Sequence, residues 1–215
     1  KTDVFIILRN MAMNILYFVR HGETSWNKSK IYQGSTDIPL NSTGLQQAKL
    51  VSSYFKDISI DDIFTSPLKR ASVTAEIIAK PHCISVKENR NLMEMNFGQW
   101  EGKCLSEINN DWPGMIEEMY INPDKVKIPD SESFQDVQKR TMRFINDLLD
   151  KSLQKTYVIV SHGAAIRTML CGLLDIPLEK GWWLGQSNAN ITCIYQLSSG
   201  RNILHKLNST IHLMK

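Results

Sequence analysis

Three short runs restrict this chain more than any other feature. "NILYFV" (residues 14–19), "DIFTS" (62–66) and "TYVIVS" (156–161) are nearly continuous apolar segments. A strand with one wet face alternates apolar and polar side chains. These runs do not, so both faces are buried, as in a parallel sheet covered by helices. Between them the pattern turns helical. "GLQQAKLVSSYF" sets Leu45, Ala48, Val51, Ser52 and Phe55 on one stripe, and "PLKRASVTAEIIAK" continues after Ser66. Residues 133–153 form a long amphipathic stretch with Phe134, Val137, Met142, Ile145, Leu148 and Leu149 inward, and "AAIRTMLCGLL" follows Gly163. Strand alternating with helix predicts an α/β fold: three layers, α/β/α, around a mostly parallel open sheet. "ITCIYQL" and "NILHKL", joined through "SSGR", read as a hairpin on the sheet edge.

One stretch breaks this rhythm. From about residue 93 to 130 the chain is rich in Trp, Met, Pro and Gly. It reads as an insertion over one end of the sheet, partly helical across 106–120. Residues 1–12 read as an extension outside the fold, native or appended, because "MAMNILYF" offers a natural start at Met11 or Met13. The remainder, 13–215, reads as one domain, and 215 residues suffice for a real core. A net charge of +3 without a Lys/Arg block gives no nucleic-acid footprint. No apolar run approaches a membrane span. Cys83, Cys104, Cys171 and Cys193 lack C-x-x-C spacing, which argues against metal and for free thiols in a reducing cytoplasm.

The chemistry gathers where the apolar runs end. Ligands of a doubly wound sheet bind beyond the carboxyl ends of its strands. "FVRHG" (18–22) and "IVSHG" (159–163) each place a histidine just past a strand and a glycine after it. The helix after Gly163 would turn its free N–H groups toward the same spot. The remaining run, "DIFTS", leads into "PLKRA", with Arg70 on the first turn of the next helix, and Arg20 adjoins the first histidine. Taken singly, a strand-end histidine is most often structural and an arginine most often a surface salt bridge. Together, two arginines and two histidines repel one another unless an anion joins them. A guanidinium fork fits phosphate oxygens bidentately, and a neutral imidazole is a nucleophile near pH 7. "LMEMNFGQWEGK" offers Glu94 and Glu101 as acids. Burial in the irregular insertion would help Glu94 hold a proton. Glu101, between Trp100 and Gly102, suits holding backbone at a turn. The residues alone rank Glu94 only modestly ahead.

"VRHGETSWN", "YQGSTDIPLNSTGLQQA", "TSPLKRASVTAEII", "LMEMNFGQWEG" and "IVSHGAAIR" occur in that order along the chain. Together they resemble the histidine phosphatase superfamily, also called phosphoglycerate-mutase-like, across residues 14 to about 195. The resemblance implies that His21 is the phosphorylated nucleophile and that Arg20, Arg70 and His162 bind the transferring phosphoryl group. Glu94 would be the proton donor and then the base that activates water. Asn27 matches an asparagine that touches the phosphate, Gly163 would add backbone beside His162, and Gln33 and Gly34 would face the substrate. The family needs no metal, and the phosphatase reading implies no cofactor for this chain. The compact "FGQWEG" block looks like the phosphatase branch, whose members include α-ribazole-5′-phosphate phosphatases of cobalamin synthesis. Ser131, Pro67 and Asn190 depart from the family's usual glycine, aspartate and serine.

The implied activity is a metal-independent phosphomonoesterase acting on a small phosphorylated metabolite, with no nucleic acid or membrane partner. A homodimer stays open. The same-fold alternative is a cofactor-dependent phosphoglycerate mutase; the alternative of another class is a non-catalytic phosphate-binding or signalling module. "DWPGMIEEMY" (111–120) reads first as an amphipathic packing helix and second as a lid. "GWWLG" (181–185) reads as a packing corner, and His82, His205 and His212 are given no function.

Overall fold

In a computed structural model, residues 13–123, 125–149 and 154–214 are described. The chain builds β1 (Met13–Arg20), α1 (Ser25–Lys28), α2 (Ser42–Phe55), β2 (Asp62–Thr65), α3 (Lys69–Ala79) and β3 (Val86–Glu88). Then follow α4 (Leu105–Asp111), α5 (Met115–Ile121), α6 (Phe134–Leu149), β4 (Thr156–Ser161), α7 (Gly163–Leu173), β5 (Ile191–Leu197) and β6 (Asn202–Ser209). The proposed extension, 1–12, and the last residues of the predicted 133–153 helix lie outside the described residues.

The six strands form one sheet in the order β3-β2-β4-β1-β5-β6. The β3-β2, β2-β4 and β4-β1 pairs are parallel, and β5 and β6 join antiparallel as the expected hairpin. The central strands are buried on both faces, and alternate residues of a single strand serve opposite cores. Tyr17 and Val19 of β1 meet Val51, Phe55, Ala75 and Ile78 of α2 and α3. Leu16 and Phe18 meet Phe144 and Ile145 of α6 and Ile166 and Met169 of α7. That is why the three runs carry no polar alternation. A third apolar cluster joins Trp100, Ile108, Met119, Phe134 and Val137, with Trp112, Met115 and Ile116 against it, so the packing reading of 111–120 holds. The helical stretch there is two short helices with a break at Trp112–Gly114 between them.

Two details differ from the sequence reading. The third strand of the parallel set, β3, carries only "VKE" at the sheet edge, mostly exposed, so it has no apolar run to betray it. On α2 the inward stripe contains Gly44, while Leu45 is 39% exposed. A Cβ on Gly22 would stand 2.4 Å from the Gly44 carbonyl oxygen, and one on Gly44 2.1 Å from the Glu23 oxygen. The start of α2 therefore lies flat on the backbone that follows β1. Asn41 caps α2 by accepting from Gly44 N (2.8 Å) and donates to Glu23 (2.8 Å), which fastens this contact. Among the described residues no helix is long and apolar enough to cross a membrane.

Candidate active site

Strand register assembles the site. Arg20 at the end of β1 lies opposite Ser161 at the end of β4. The next residues, His21 and His162, therefore leave the sheet side by side, with ring centroids 5.1 Å apart. β2, on the other flank of β4, leads to α3, whose first turn carries Arg70. The two strand-end motifs and the 62–66 run thus converge at one carboxyl edge. Arg20, His21 and Arg70 line a cavity of about 290 Å³ with Asn27, Gln33, Gly34, Glu94 and Gly163, while His162 is fully buried beside His21.

Hydrogen bonds assign the two imidazoles opposite roles. His21 Nδ1 lies 2.7 Å from the Gly22 carbonyl oxygen. A carbonyl only accepts, so Nδ1 carries the proton and Nε2 keeps its lone pair. His162 Nδ1 lies 3.2 Å from Arg70 Nε. A guanidinium only donates, so this nitrogen is bare and His162 Nε2 carries the proton. That Nε2 is buried and has no partner among the described residues, as does Arg20 Nε. Burial first, then Arg70 and the other cations nearby, hold both imidazoles well below the usual 6.5, so both are neutral at pH 7.

The arginines are held by backbone rather than by carboxylates. Arg70 is 1% exposed and donates to the carbonyls of Thr36 (2.8 Å) and Gly34 (2.7 Å). Burial lowers its pKa to about 10, so it remains a cation. Arg20 Nη1 donates to the Gln186 carbonyl at 2.5 Å. Neither forms a salt bridge among the described residues. The surface-salt-bridge reading of these arginines therefore fails; both are clamped cations facing a cavity.

Glu94 is half-buried, and its carboxylate accepts from Met95 N (2.9 Å), Ala164 N (3.3 Å) and Ala165 N (3.1 Å). This corrects one expectation. The N–H groups at the start of α7 do not all point freely into the site, because Ala164 and Ala165 are taken by Glu94. Glu101 has the backbone role expected of it. One oxygen accepts from Ser35 N (2.7 Å) and Phe97 N (3.1 Å), and the other from Thr36 N (2.9 Å) and the Thr36 hydroxyl. It thereby fixes the loop whose carbonyls grip Arg70. Gly34 sits at φ +52° with no room for a side chain, since a Cβ would stand 1.9 Å from Glu101 Oε1. Gln33 Oε1 accepts from Thr24 Oγ1 (2.9 Å), and Asn27 Oδ1 from Thr24 N (3.1 Å) and Asn188 Nδ2 (3.0 Å). The Asn27 oxygen is thus used, which leaves its Nδ2 as the free donor.

Several lining residues escaped the sequence reading. Tyr32, Phe97, Tyr120 and Trp182 form an aromatic outer wall, and Arg167 joins them. Trp182 makes "GWWLG" part of the pocket as well as a packing corner. Arg167 carried a readable signal, being one helical turn after Gly163. Asn188, which donates to the carbonyls of His21 (3.2 Å) and Gly22 (3.3 Å), carried none.

Paired neutral histidines, unpaired buried donors and clamped guanidiniums at a parallel-sheet edge define an anion-handling α/β enzyme. The chain belongs to the histidine phosphatase superfamily (branch 1), whose family model matches residues 16–210, and it is a phosphatase. It is 34% identical over 198 residues to "Phosphoserine phosphatase 1" of Hydrogenobacter thermophilus, covering 92% of this chain and 93% of that protein. Among solved structures, a phosphoserine phosphatase of Entamoeba histolytica in complex with 3-phosphoglyceric acid superposes with a TM-score of 0.83. It is 34% identical and the match covers 94% of this chain and all of that one. A putative α-ribazole-5′-P phosphatase of Escherichia coli is 26% identical, with a TM-score of 0.82 and coverage of 91% and 96%.

Proposed function

We propose that this phosphatase hydrolyses a small phosphomonoester through a phosphohistidine on His21, without a metal. The observation that carries the reading is the complementary pair of tautomers. His21 offers a lone pair at Nε2, and His162 offers a proton at its own Nε2 a ring away. In the first step His21 Nε2 attacks phosphorus, the N–P bond forms and the P–O ester bond breaks. The leaving oxygen takes a proton from Glu94. In the second step Glu94 takes a proton from water, the water oxygen attacks phosphorus, and the N–P bond breaks to release phosphate. Glu94 and His21 end as they began. His162 Nε2–H, Asn27 Nδ2, Arg20 and Arg70, with backbone at Gly163, stabilise the charge on the equatorial oxygens, the part played elsewhere by metal ions. Gln33 and Gly34 face the alcohol portion.

Full turnover in excess chelator, together with acid-labile phosphate on the chain that His21→Ala abolishes, tests this. Turnover that His21→Ala leaves intact overturns it. Retention of both Glu94 and His21 in bonding range of the pocket favours catalysis over mere phosphate binding. Assay of 3-phosphoglycerate with and without 2,3-bisphosphoglycerate separates the phosphatase from a mutase. Two substrates differ in what lies beyond the ester. α-Ribazole-5′-phosphate, the candidate from the sequence and a cobalamin precursor, would lay a flat base on the aromatic wall. Phosphoserine, named in two relatives, would present a carboxylate. Four free cysteines, two of them buried, support a reducing, cytoplasmic setting.

A further inference from the structure

The outer wall of the pocket holds a cation outside the phosphate clamp, anchored to the fold by one nitrogen and one ring contact. Arg167 Nε donates to the Leu184 carbonyl (3.0 Å), and its guanidinium lies 4.5 Å over the Trp182 ring. Trp182 is itself braced by Tyr120 and Phe134, at centroid distances of 5.1 and 5.5 Å. The guanidinium is therefore fixed in direction. A Cβ placed on Gly163 would stand 3.1 Å from Arg167 Nη1 and 3.7 Å from Arg20 Cζ, so the two arginines flank that glycine. Among the described residues no carboxylate forms a salt bridge with Arg167 and no acceptor meets its terminal nitrogens. Burial and the neighbouring Arg20 press its pKa down to about 10, which still leaves it charged.

Charge counting gives this residue a use. The pocket is lined by Arg20, Lys30, Arg70 and Arg167, four cations, against one carboxylate, Glu94. With Glu94 protonated to serve as the proton donor, a phosphoryl dianion offsets two of the four. Of the remaining two, Lys30 is exposed to solvent, whereas Arg167 is half-buried, and an unpaired half-buried cation is costly. Arg20 and Arg70 already share the phosphoryl end with His162 and Asn27. Arg167 stands beyond Gly163, toward Trp182, where the alcohol portion of an ester would lie.

We propose that Arg167, held flat against Trp182, binds a carboxylate on the alcohol portion of the substrate. The preferred substrates are then small phosphomonoesters of hydroxy or amino acids rather than esters of uncharged alcohols. This rests on the phosphohistidine reading and deepens it, and it ranks α-ribazole-5′-phosphate below phosphoserine. A planar guanidinium suits the task because it grips a carboxylate with two parallel N–H groups.

O-Phosphoserine and O-phosphoethanolamine differ only by the carboxylate, so the ratio of their kcat/KM values isolates it. For the full chain the expected ratio is about tenfold or more in favour of phosphoserine, the equivalent of about 1.4 kcal/mol. Arg167→Met is expected to cut that ratio by about tenfold, and Arg167→Lys to restore part of it. A wild-type ratio near one overturns the proposal without any variant. So does an Arg167→Met protein that slows both esters equally, since the guanidinium would then serve the phosphate or the packing. Both esters turned over with no phosphohistidine trapped would instead overturn the covalent mechanism, while the ratio would still report on Arg167.

Discussion

At the inner end of the pocket, His21 and His162 hang from adjacent strands in fixed register, and their rings are held by a backbone carbonyl and a clamped arginine. At the outer end, Tyr120 and Trp182 stand on a seven-residue helix and a 3-10 turn, touch each other at a tilt of 56°, and leave Tyr120 47% exposed. The inner end can hardly change without changing the sheet. The outer end can change with one side chain. Chemistry is therefore tied to the fold itself, and the choice of substrate to parts laid over it.

The contrast can be broken at several points. The largest effect belongs to His21→Ala, with a loss on the order of 10⁴-fold in kcat and no trapped phosphoryl group, while the thermal midpoint stays close to wild type. Residual turnover near the wild-type rate would move the nucleophile elsewhere. Glu94→Gln comes next, with about 10²- to 10⁴-fold off kcat and orthophosphate binding retained. Unchanged turnover would assign the proton transfer to another group. Glu101→Gln never touches substrate, yet it loosens the loop that grips Arg70 through Gly34 and Thr36. It is expected to weaken inhibition by orthophosphate and kcat/KM together, by about tenfold. A drop in stability with phosphate affinity untouched would make Glu101 merely structural. Tyr120→Ala is expected to raise KM by a few-fold with kcat nearly constant. A kcat loss as deep as that of Glu94→Gln would erase the distinction between the two ends.

The smallest effect is on stability. Both site histidines have folded pKa values depressed below the usual 6.5. Below about pH 6.5 the unfolded chain takes up protons that the folded chain refuses, so stability falls as the pH drops through that value toward the depressed ones. Denaturant unfolding at about pH 7 and pH 5 is expected to show this loss. The His21→Gln/His162→Gln protein should show less of it, and an equal slope in both proteins would discount the burial of these rings.

What could be read from the sequence follows the same division. The strand ends were legible because an apolar run followed by Arg20 and His21, or by His162 and Gly163, leaves little choice about where the chain is wet. Arg70 was legible by its place on a helix start. β3 was not, because three mostly exposed residues at an edge carry no periodicity. Gly44 displaced Leu45 from the core face because a close backbone contact with Gly22 outweighs hydrophobicity there, and no propensity scale contains that term. Trp182 and Tyr120 reach the pocket, and Asn188 the backbone at His21, through tertiary packing, so no spacing announces them. The expected freedom of the α7 N–H groups failed because Glu94, distant in sequence, arrives to take two of them.

The register of β1 against β4 also has a thermal consequence. His21 and His162 can separate only if the central ladder of the sheet opens, and that is the last part of such a fold to melt. The short α5 helix that carries Tyr120 is held by far less and opens earlier. Warming should then blur the discrimination between substrates well before it stops hydrolysis, and the enzyme would become indiscriminate on its way to becoming inactive.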